Sequence, residues 1–164
     1  SGMKLKSLVD DKKVIDMVFY AMKANGHPEI IKQVASLGFG IECVSLEEVQ
    51  FVLDLIPDLD RKRILFTPNF TPREEYLKGF ELGINVTLDN IYPLQNWADV
   101  FAKREIFIRI DPGQGLGHHK KVKTAGKNAK FGIPLENLEQ FNELCLQNGT
   151  TVVGLHAHVG YVIF

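Results

Sequence analysis

The sequence predicts an α/β fold in which parallel strands are covered by helices. Short apolar segments of strand length recur along the 164 residues, and most of them precede a stretch with helical periodicity. The strand segments are apolar on both faces, as buried parallel strands are. The strand-plus-helix unit repeats about every 20–25 residues, which fits either an open doubly wound sheet or a (β/α)8 barrel.

Six segments are predicted to be strands. They are rich in β-branched and aromatic residues, and turn residues or helix-start signals follow them. A complete barrel has eight strands, so six would form part of one. In chain order the predicted strands are Val14–Met22, Phe39–Val44, Arg63–Thr67, Asn85–Leu88, Ile106–Ile110 and Thr151–Val159.

Five helices are predicted between these strands. Pro28 suits the first turn of the first helix, and Gly38 ends it. Ser45 and Glu48 have the capping-box spacing at the start of the second helix. The third helix starts at a similar box, Thr71–Glu74. The fourth and fifth helices are predicted over Tyr92–Lys103 and Leu135–Gln147.

Composition is that of an ordinary globular protein. Apolar residues make up 45%, charged residues 24% and the net charge is -1, so neither nucleic acid nor a membrane is expected as a partner. No segment has the about 18–20 apolar residues of a membrane span, and the first residues lack a signal-peptide core. Cys43 and Cys145 predict reduced thiols and a cytoplasmic location. Residues Ser1–Met3 resemble a cloning remnant.

Polar side chains collect at the carboxyl end of every predicted strand. In either parallel architecture the carboxyl ends of the strands share one rim, so these residues are expected to meet there. A long glycine- and lysine-rich loop with a basic cluster at His118–Lys130 precedes the last helix, which is typical of a solvated loop or an anion site. The strand-end residues are Lys23, Asn25, Glu42, Ser45, Asn69, Asp89, Asn90, Arg109, Asp111, His156 and His158.

Lys23 and Glu42 each allow two interpretations. An amine in a water-poor position can form a Schiff base with an aldehyde, but a lysine at a strand end can also be an ordinary rim residue. Glu42 either points inward, where it needs a cationic partner, or outward into solvent. Glu48 is already explained by the capping box. Arg109 lies within an apolar strand and is predicted to be buried and paired with a side chain or an anion.

His156 and His158 share one strand face because side chains repeat every two residues. One interpretation is a zinc-binding pair, for which His118, His119 or Asp111 could supply further ligands. A second is an imidazole stacked on the ring of a cofactor. The third is a pair of hydrogen-bonded core histidines.

Five segments resemble one family in order and approximate spacing: "YAMKAN", "GIECVSLEE", "IFIRIDPG", "KFG" and "GLHAHVG". The chain resembles the fold-type III pyridoxal-phosphate decarboxylases from about Val18 to Gly160. Within them it looks most like the diaminopimelate decarboxylases. The segment "GHHKKVKTAGKNAKFGI" is similar to the decarboxylase part of bifunctional aspartate kinase–diaminopimelate decarboxylases.

The resemblance implies a partial (β/α)8 barrel with pyridoxal 5'-phosphate as cofactor. Lys23 would be the Schiff-base lysine and Glu48 a second catalytic residue near it. Glu42, Arg109 and the stacking residue His158 would join Lys23 in binding the cofactor, and no metal is implied. The reaction implied is decarboxylation of meso-2,6-diaminopimelate to L-lysine, in lysine biosynthesis, by a homodimer of the full-length protein.

Two departures from the family pattern concern the end of the chain. The family has a phosphate-binding serine after the histidine motif, where this chain has Tyr161. The glycine-rich phosphate-binding segment and the C-terminal β-domain of the family are also absent from the sequence. The chain is therefore expected to be a fragment, an incomplete barrel domain over residues 4–164 without the C-terminal β-domain, and inactive alone. There are two alternatives to the decarboxylase function. One is a metal-dependent barrel hydrolase using His156 and His158, and the other is a non-catalytic fragment that binds the cofactor.

Overall fold

The computed structural model describes residues 6–7, 16–111 and 131–158. Strands and helices alternate along the chain and the strands pair in parallel within the described residues, so the predicted α/β class is confirmed. The basic cluster from His118 to Lys130 and Tyr161 lie outside the described residues. No helix in the described part of the chain is long and apolar enough to cross a membrane.

The chain divides into two compact units. The first comprises Ser1–Thr67 and Lys78–Asn85, and the second comprises Pro68–Leu77 and Val86–Phe164.

The first unit contains three parallel strands. They are β1 (Phe19–Ala21), β2 (Gly40–Cys43) and β3 (Ile64–Phe66), with β2 in the middle. Helices α1 (Pro28–Ser36) and α2 (Leu46–Leu55) pack against β2. The core between sheet and helices is formed by side chains with no exposed surface: Ile31, Ile41, Cys43, Val49, Val52, Ile64 and Phe66.

The second unit is built around β5 (Glu105–Asp111). Parallel to it lie β4 (Asn85–Leu88, whose first residue belongs to the first unit), the short β6 (Ile133–Pro134) and β7 (Thr151–Ala157). The helices are α4 (Tyr92–Asn96), α5 (Ala98–Phe101) and α6 (Leu138–Asn148), while α3 (Arg73–Glu81) is divided between the units. Tyr76 and Phe101, both fully buried, meet edge to face at 5.3 Å in the core.

Most of the predicted helix signals act as expected. Pro28 occupies the first turn of α1, and Gly38 follows that helix with a φ of +87°. Gly149 ends α6 in the left-handed conformation that glycine adopts without steric cost. The third helix starts at Arg73. The hydroxyl of Thr71 donates to the carboxylate of Glu75, whereas the sequence predicted a capping pair with Glu74.

The predicted elements differ from the observed ones at three places. The first strand is shorter than Val14–Met22, because Met22–Ala24 forms a 3-10 turn. The helix expected over Tyr92–Lys103 is interrupted at Trp97, whose φ and ψ of -132° and 41° are not helical. The prediction also missed β6, which is two residues long and therefore carries no periodic signal.

Candidate active site

Lys23 lies on the 3-10 turn that directly follows β1, and its side chain is exposed. The chain beyond it is held by two hydrogen bonds: the Tyr20 hydroxyl donates to the carbonyl of Asn25 at 3.2 Å, and the His27 N–H donates to Oδ1 of Asn25 at 3.0 Å. Beneath it, Met22 is buried with its sulfur 3.7 Å from Sγ of Cys43. The amine therefore sits on a fixed turn at the carboxyl end of a strand.

Glu42 lies in β2, level with Ala21 of β1. It is half-buried, while its neighbours Ile41 and Cys43 are fully buried on the other face of the strand. One carboxylate oxygen accepts a hydrogen bond from the hydroxyl of Thr67. The sequence predicted a cationic partner for an inward Glu42, and the partner found is a neutral hydroxyl.

Thr67 was missed as a site residue. It is buried directly after β3, where its N–H donates to the carbonyl of Cys43. The sequence signal that could have identified Thr67 is a hydroxyl-bearing residue immediately after an apolar strand. Its connection to Glu42 depends on pairing between strands 25 residues apart.

Glu48 is bound to the backbone at the start of α2. Its N–H donates to Oγ of Ser45 at 3.3 Å, and its carboxylate accepts from the N–H of Val44 at 2.7 Å. This confirms the capping interpretation with one change, since the carboxylate reaches the residue before the cap. Burial, with the charges of Glu48 and Glu42 acting in the same direction, raises the pKa of the Cys43 thiol well above its ordinary value.

Arg109 is the centre of the polar group in the second unit. It was predicted to be buried and paired; it is half-buried, because its guanidinium extends to Oδ1 of Asn69 at 2.9 Å. The guanidinium lies 5.3 Å from the ring centre of Phe131, in the "KFG" segment. Phe131 in turn lies 5.5 Å from the ring of Phe70. One amide and one aromatic face are thus among the contacts of this cation.

Asp89 follows β4 and is 1% exposed. Its Oδ1 accepts from the side-chain amide of Asn90 at 2.7 Å, and its backbone carbonyl accepts from the N–H of Gly132 at 3.0 Å. Burial raises the pKa of the Asp89 carboxyl. Hydrogen bonds from the Asn90 side chain and from the backbone of Asp89 and Phe70, and last the charge of Arg109, act in the opposite direction. The sequence identified Asp89 as a strand-end residue but gave it no role.

His156 lies on β7 beside Arg109, in the register that pairs the two strands. His158 directly follows that strand, and both histidines are half-buried while the alternating residues Leu155 and Ala157 are exposed. The predicted common face is therefore confirmed. Among residues 6–7, 16–111 and 131–158, no group of three or more histidine, cysteine or acidic side chains is arranged to hold a metal ion.

The structure brings the predicted residues together in two groups. Lys23, Glu42 and Glu48 belong to the first unit, and Arg109, His156 and His158 belong to the second. Convergence of all of them on one rim stays a prediction.

Comparison with known proteins identifies the family. Residues 5–164 match the family described as "Pyridoxal-dependent decarboxylase, pyridoxal binding domain". The chain belongs to this family. A diaminopimelate decarboxylase of Streptomyces coelicolor is 30% identical over 158 residues, which are 95% of this chain and 36% of that protein. The predicted family and its cofactor, pyridoxal phosphate, are thereby confirmed.

Solved structures of pyridoxal-dependent decarboxylases share the fold. Diaminopimelate decarboxylase from M. jannaschii in complex with L-lysine is 29% identical with a TM-score of 0.73, covering 90% of this chain and 35% of that one. The enzyme from Helicobacter pylori has a TM-score of 0.80 at 24% identity, covering 97% of this chain and 42% of that one. These matches confirm the predicted partial barrel. The chain spans well under half the length of either protein.

The residues present fit pyridoxal phosphate, the cofactor of this family. The exposed Lys23 amine is accessible to an aldehyde. The second carboxylate oxygen of Glu42 has no protein partner among the described residues, so it can accept a hydrogen bond from a ligand. Arg109 offers a guanidinium for an anionic group.

Proposed function

We propose that this chain supplies the lysine-bearing part of the active site of a pyridoxal phosphate-dependent decarboxylase that converts meso-2,6-diaminopimelate to L-lysine. One observation carries the proposal. The exposed Lys23 amine lies directly after β1, two residues beyond Ala21, and Glu42 is level with Ala21 on the adjacent strand. An amine and a half-buried carboxylate thus occupy the carboxyl end of neighbouring parallel strands, where α/β proteins bind ligands.

Pyridoxal phosphate, when bound, supplies an aldehyde that takes up amines and a ring that accepts the electron pair left by carbon dioxide. In this proposal Lys23 would hold the cofactor covalently through its exposed side-chain amine. Glu42, oriented by Thr67, accepts a hydrogen bond from the cofactor. Glu48 acts through its charge, since Val44 already holds its carboxylate.

Arg109 and His158 are proposed to complete the cofactor site. Asn69 and the ring of Phe131 fix the guanidinium of Arg109, so it can present its charge to an anionic group with little loss of side-chain freedom. His158 directly follows β7 and offers a flat, half-buried imidazole for stacking on an aromatic ring.

The substrate is proposed from the relatives. The proteins from Streptomyces coelicolor and M. jannaschii are named diaminopimelate decarboxylases, and the latter was crystallised with L-lysine. L-Lysine is what remains of meso-diaminopimelate after one carboxyl group is lost. Because the chain spans about a third of the length of these proteins, turnover is expected from a longer protein and not from these 164 residues alone.

Borohydride labelling tests the role of Lys23. The chain is incubated with pyridoxal phosphate, reduced, digested and analysed by mass spectrometry, and we expect the cofactor mass on the Lys23 peptide. Lys23→Ala should lose both the label and the visible absorbance of amine-bound cofactor. Lys32→Ala, which changes an exposed lysine paired with Glu29 on α1, should keep both. A label distributed over other lysines, or retained in Lys23→Ala, would contradict the proposal.

The two alternatives have distinct outcomes in the same samples. Stoichiometric zinc without amine-bound cofactor would favour a metal-dependent hydrolase using His156 and His158. Cofactor bound at Lys23, with no carbon dioxide released from meso-diaminopimelate by the longer protein, would favour a non-catalytic binding protein.

A cytoplasmic location and a homodimer of the longer protein are also proposed. Cys43 and Cys145 are both buried free thiols, which suits a reducing compartment. The homodimer is proposed from the family resemblance, and sedimentation of the longer protein measures it.

A further inference from the structure

The second unit contains a cavity of about 340 Å³ between the segment that precedes α3 and the segment that follows β4. This volume lies within the about 300–1,000 Å³ that small-molecule sites occupy. Among the described residues, none of those proposed to bind the cofactor lines it. Aromatic side chains form much of its wall: Phe70, Tyr76, Tyr92 and Trp97.

Trp97 contacts two of the other rings in this wall. Its ring meets that of Tyr92 edge to face, with the ring centres 5.3 Å apart, and lies 6.3 Å from the ring of Tyr76 at an angle of 50°. Tyr76 is fully buried, whereas Tyr92 is 53% exposed. Because the rings are inclined to one another, their faces point in several directions, as in the aromatic cages that bind quaternary ammonium groups.

Phe70 adds an exposed ring on a strained backbone. Its φ of +52° lies in the left-handed region, which a bulky residue rarely adopts. Its ring is 64% exposed and packs against the ring of Phe131 at 5.5 Å. Strain of this kind is concentrated at ligand sites, where the surrounding structure enforces it. An exposed large apolar side chain beside a cavity is likewise typical of a contact surface.

The polar residues of the wall are hydrogen-bonded to carboxylates. The hydroxyl of Thr71 donates to the carboxylate of Glu75. The side-chain amide of Asn90 donates to Oδ1 of Asp89 at 2.7 Å. None of the described residues that line the cavity is basic. Two carboxylates therefore lie one hydrogen bond behind the cavity wall, and the wall itself carries no positive charge.

The Tyr76 hydroxyl responds to these two carboxylates. Burial is the largest cause that raises its pKa, and the charges of Asp89 and then Glu75 act in the same direction. The guanidinium of Arg73, at the start of α3, is paired with Asp99. The electrostatic environment of the cavity thus favours a positive charge over a negative one.

We propose that this cavity binds an organic ammonium ion, with its positive charge against the aromatic rings and beside the carboxylates of Glu75 and Asp89. The faces of aromatic rings are negative, so they attract a cation more strongly than a neutral group of the same shape. An anionic ligand would be repelled by both carboxylates. The site is separate from the chemistry proposed for Lys23 and does not depend on it.

Choline and its uncharged isostere, 3,3-dimethylbutan-1-ol, test the proposal on the full 164-residue chain. Trp97 is the single tryptophan of the sequence, so its indole N–H resonance in an NMR titration reports on the cavity without a label. Choline should shift this resonance saturably and bind at least threefold more tightly than the isostere, within the about 2- to 30-fold that one cation–ring contact contributes. Equal affinities of the two ligands, or no saturable binding of choline, would overturn the proposal.

Two variants separate the charge from the ring. Glu75→Gln should weaken choline binding and leave the affinity for the isostere unchanged, because the substitution removes only the charge. Glu81→Gln, which changes an exposed glutamate paired with Lys78 on the same helix, is the matched control and should alter neither affinity. Tyr92→Leu should weaken choline binding more than binding of the isostere, because an apolar side chain remains.

Other results with these variants would contradict the proposal. Choline affinity unchanged in both Glu75→Gln and Tyr92→Leu, or reduced equally for choline and the isostere, would overturn it. Far-UV circular dichroism of each variant establishes that folded proteins are compared. A chain that binds choline but takes up no pyridoxal phosphate would refute the proposed function and leave this inference standing.

Discussion

Gly132→Ala should destabilise the second unit by more than an ordinary glycine substitution does. Gly132 has a φ of +99°, and an added Cβ would lie 2.9 Å from the backbone nitrogen of Asp111 and 3.0 Å from the backbone carbon of Ile110. These atoms belong to β5 where it pairs with β6, so they cannot move without disturbing that pairing.

The expected magnitude is the sum of two contributions. A side chain in the left-handed region costs about 1–2 kcal/mol. Overpacking against atoms that cannot move away costs about 1–3 kcal/mol more. The free energy of unfolding should therefore fall by about 2–5 kcal/mol, and the displaced Phe131 should weaken the restraint on Arg109.

Gly83→Ala is the matched control. Gly83 has a φ of +72° but no atom within 4 Å of an added Cβ, so it measures the backbone strain without the steric contact. Urea unfolding followed by circular dichroism gives both free energies. Equal losses in the two variants would refute the steric reasoning, and a loss below about 1 kcal/mol in Gly132→Ala would refute the strain as well.

Two further predictions concern buried groups. Tyr76→Phe should stabilise the chain by about 1 kcal/mol, or about 2–4 °C in melting temperature, because the Tyr76 hydroxyl is buried without a hydrogen-bonding partner among the described residues. Tyr92→Phe, which changes a half-exposed ring, is the control and should leave the melting temperature unchanged. If Tyr76→Phe instead lowers the melting temperature, the Tyr76 hydroxyl has a hydrogen-bonding partner and the prediction is wrong. Burial raises the pKa of the Cys145 thiol to about 11, above its value of 9.0 when unperturbed, so the folded form holds this proton more tightly. Stability should therefore fall as pH rises from about 9 towards 11, and urea unfolding should show a shallower fall for Cys145→Val; identical pH profiles would contradict this.

The element order could be predicted because its signals are local. The capping pair Ser45 and Glu48 and the helix-ending Gly149 lie within a few residues of the structure they determine. Where a local signal was weak the prediction was wrong: nothing in the apolar pattern from Tyr92 to Lys103 marks the break at Trp97, and the two residues of β6 are too short to show a period.

The candidate site likewise contains residues that could be predicted from local sequence and residues that could not. Lys23, Glu42, Arg109 and the two histidines were found from sequence, because each follows or interrupts an apolar strand and the family resemblance gave them roles. Thr67 and Asp89 have the same position relative to their strands but no distinguishing local pattern. Their importance comes from the partners that the fold brings to them.

The sequence by itself determined the alternation of strands and helices, the family and the chemical types of the site residues. Periodicity, caps and motifs depend only on residues that are close together in the sequence. Only the tertiary structure decided that Glu42 bonds to Thr67, that Arg109 bonds to Asn69, 40 residues away in the sequence, and that Asp89 is buried. Those contacts depend on the register between strands. Strand register is set by the packing of whole faces and not by any short segment of the chain.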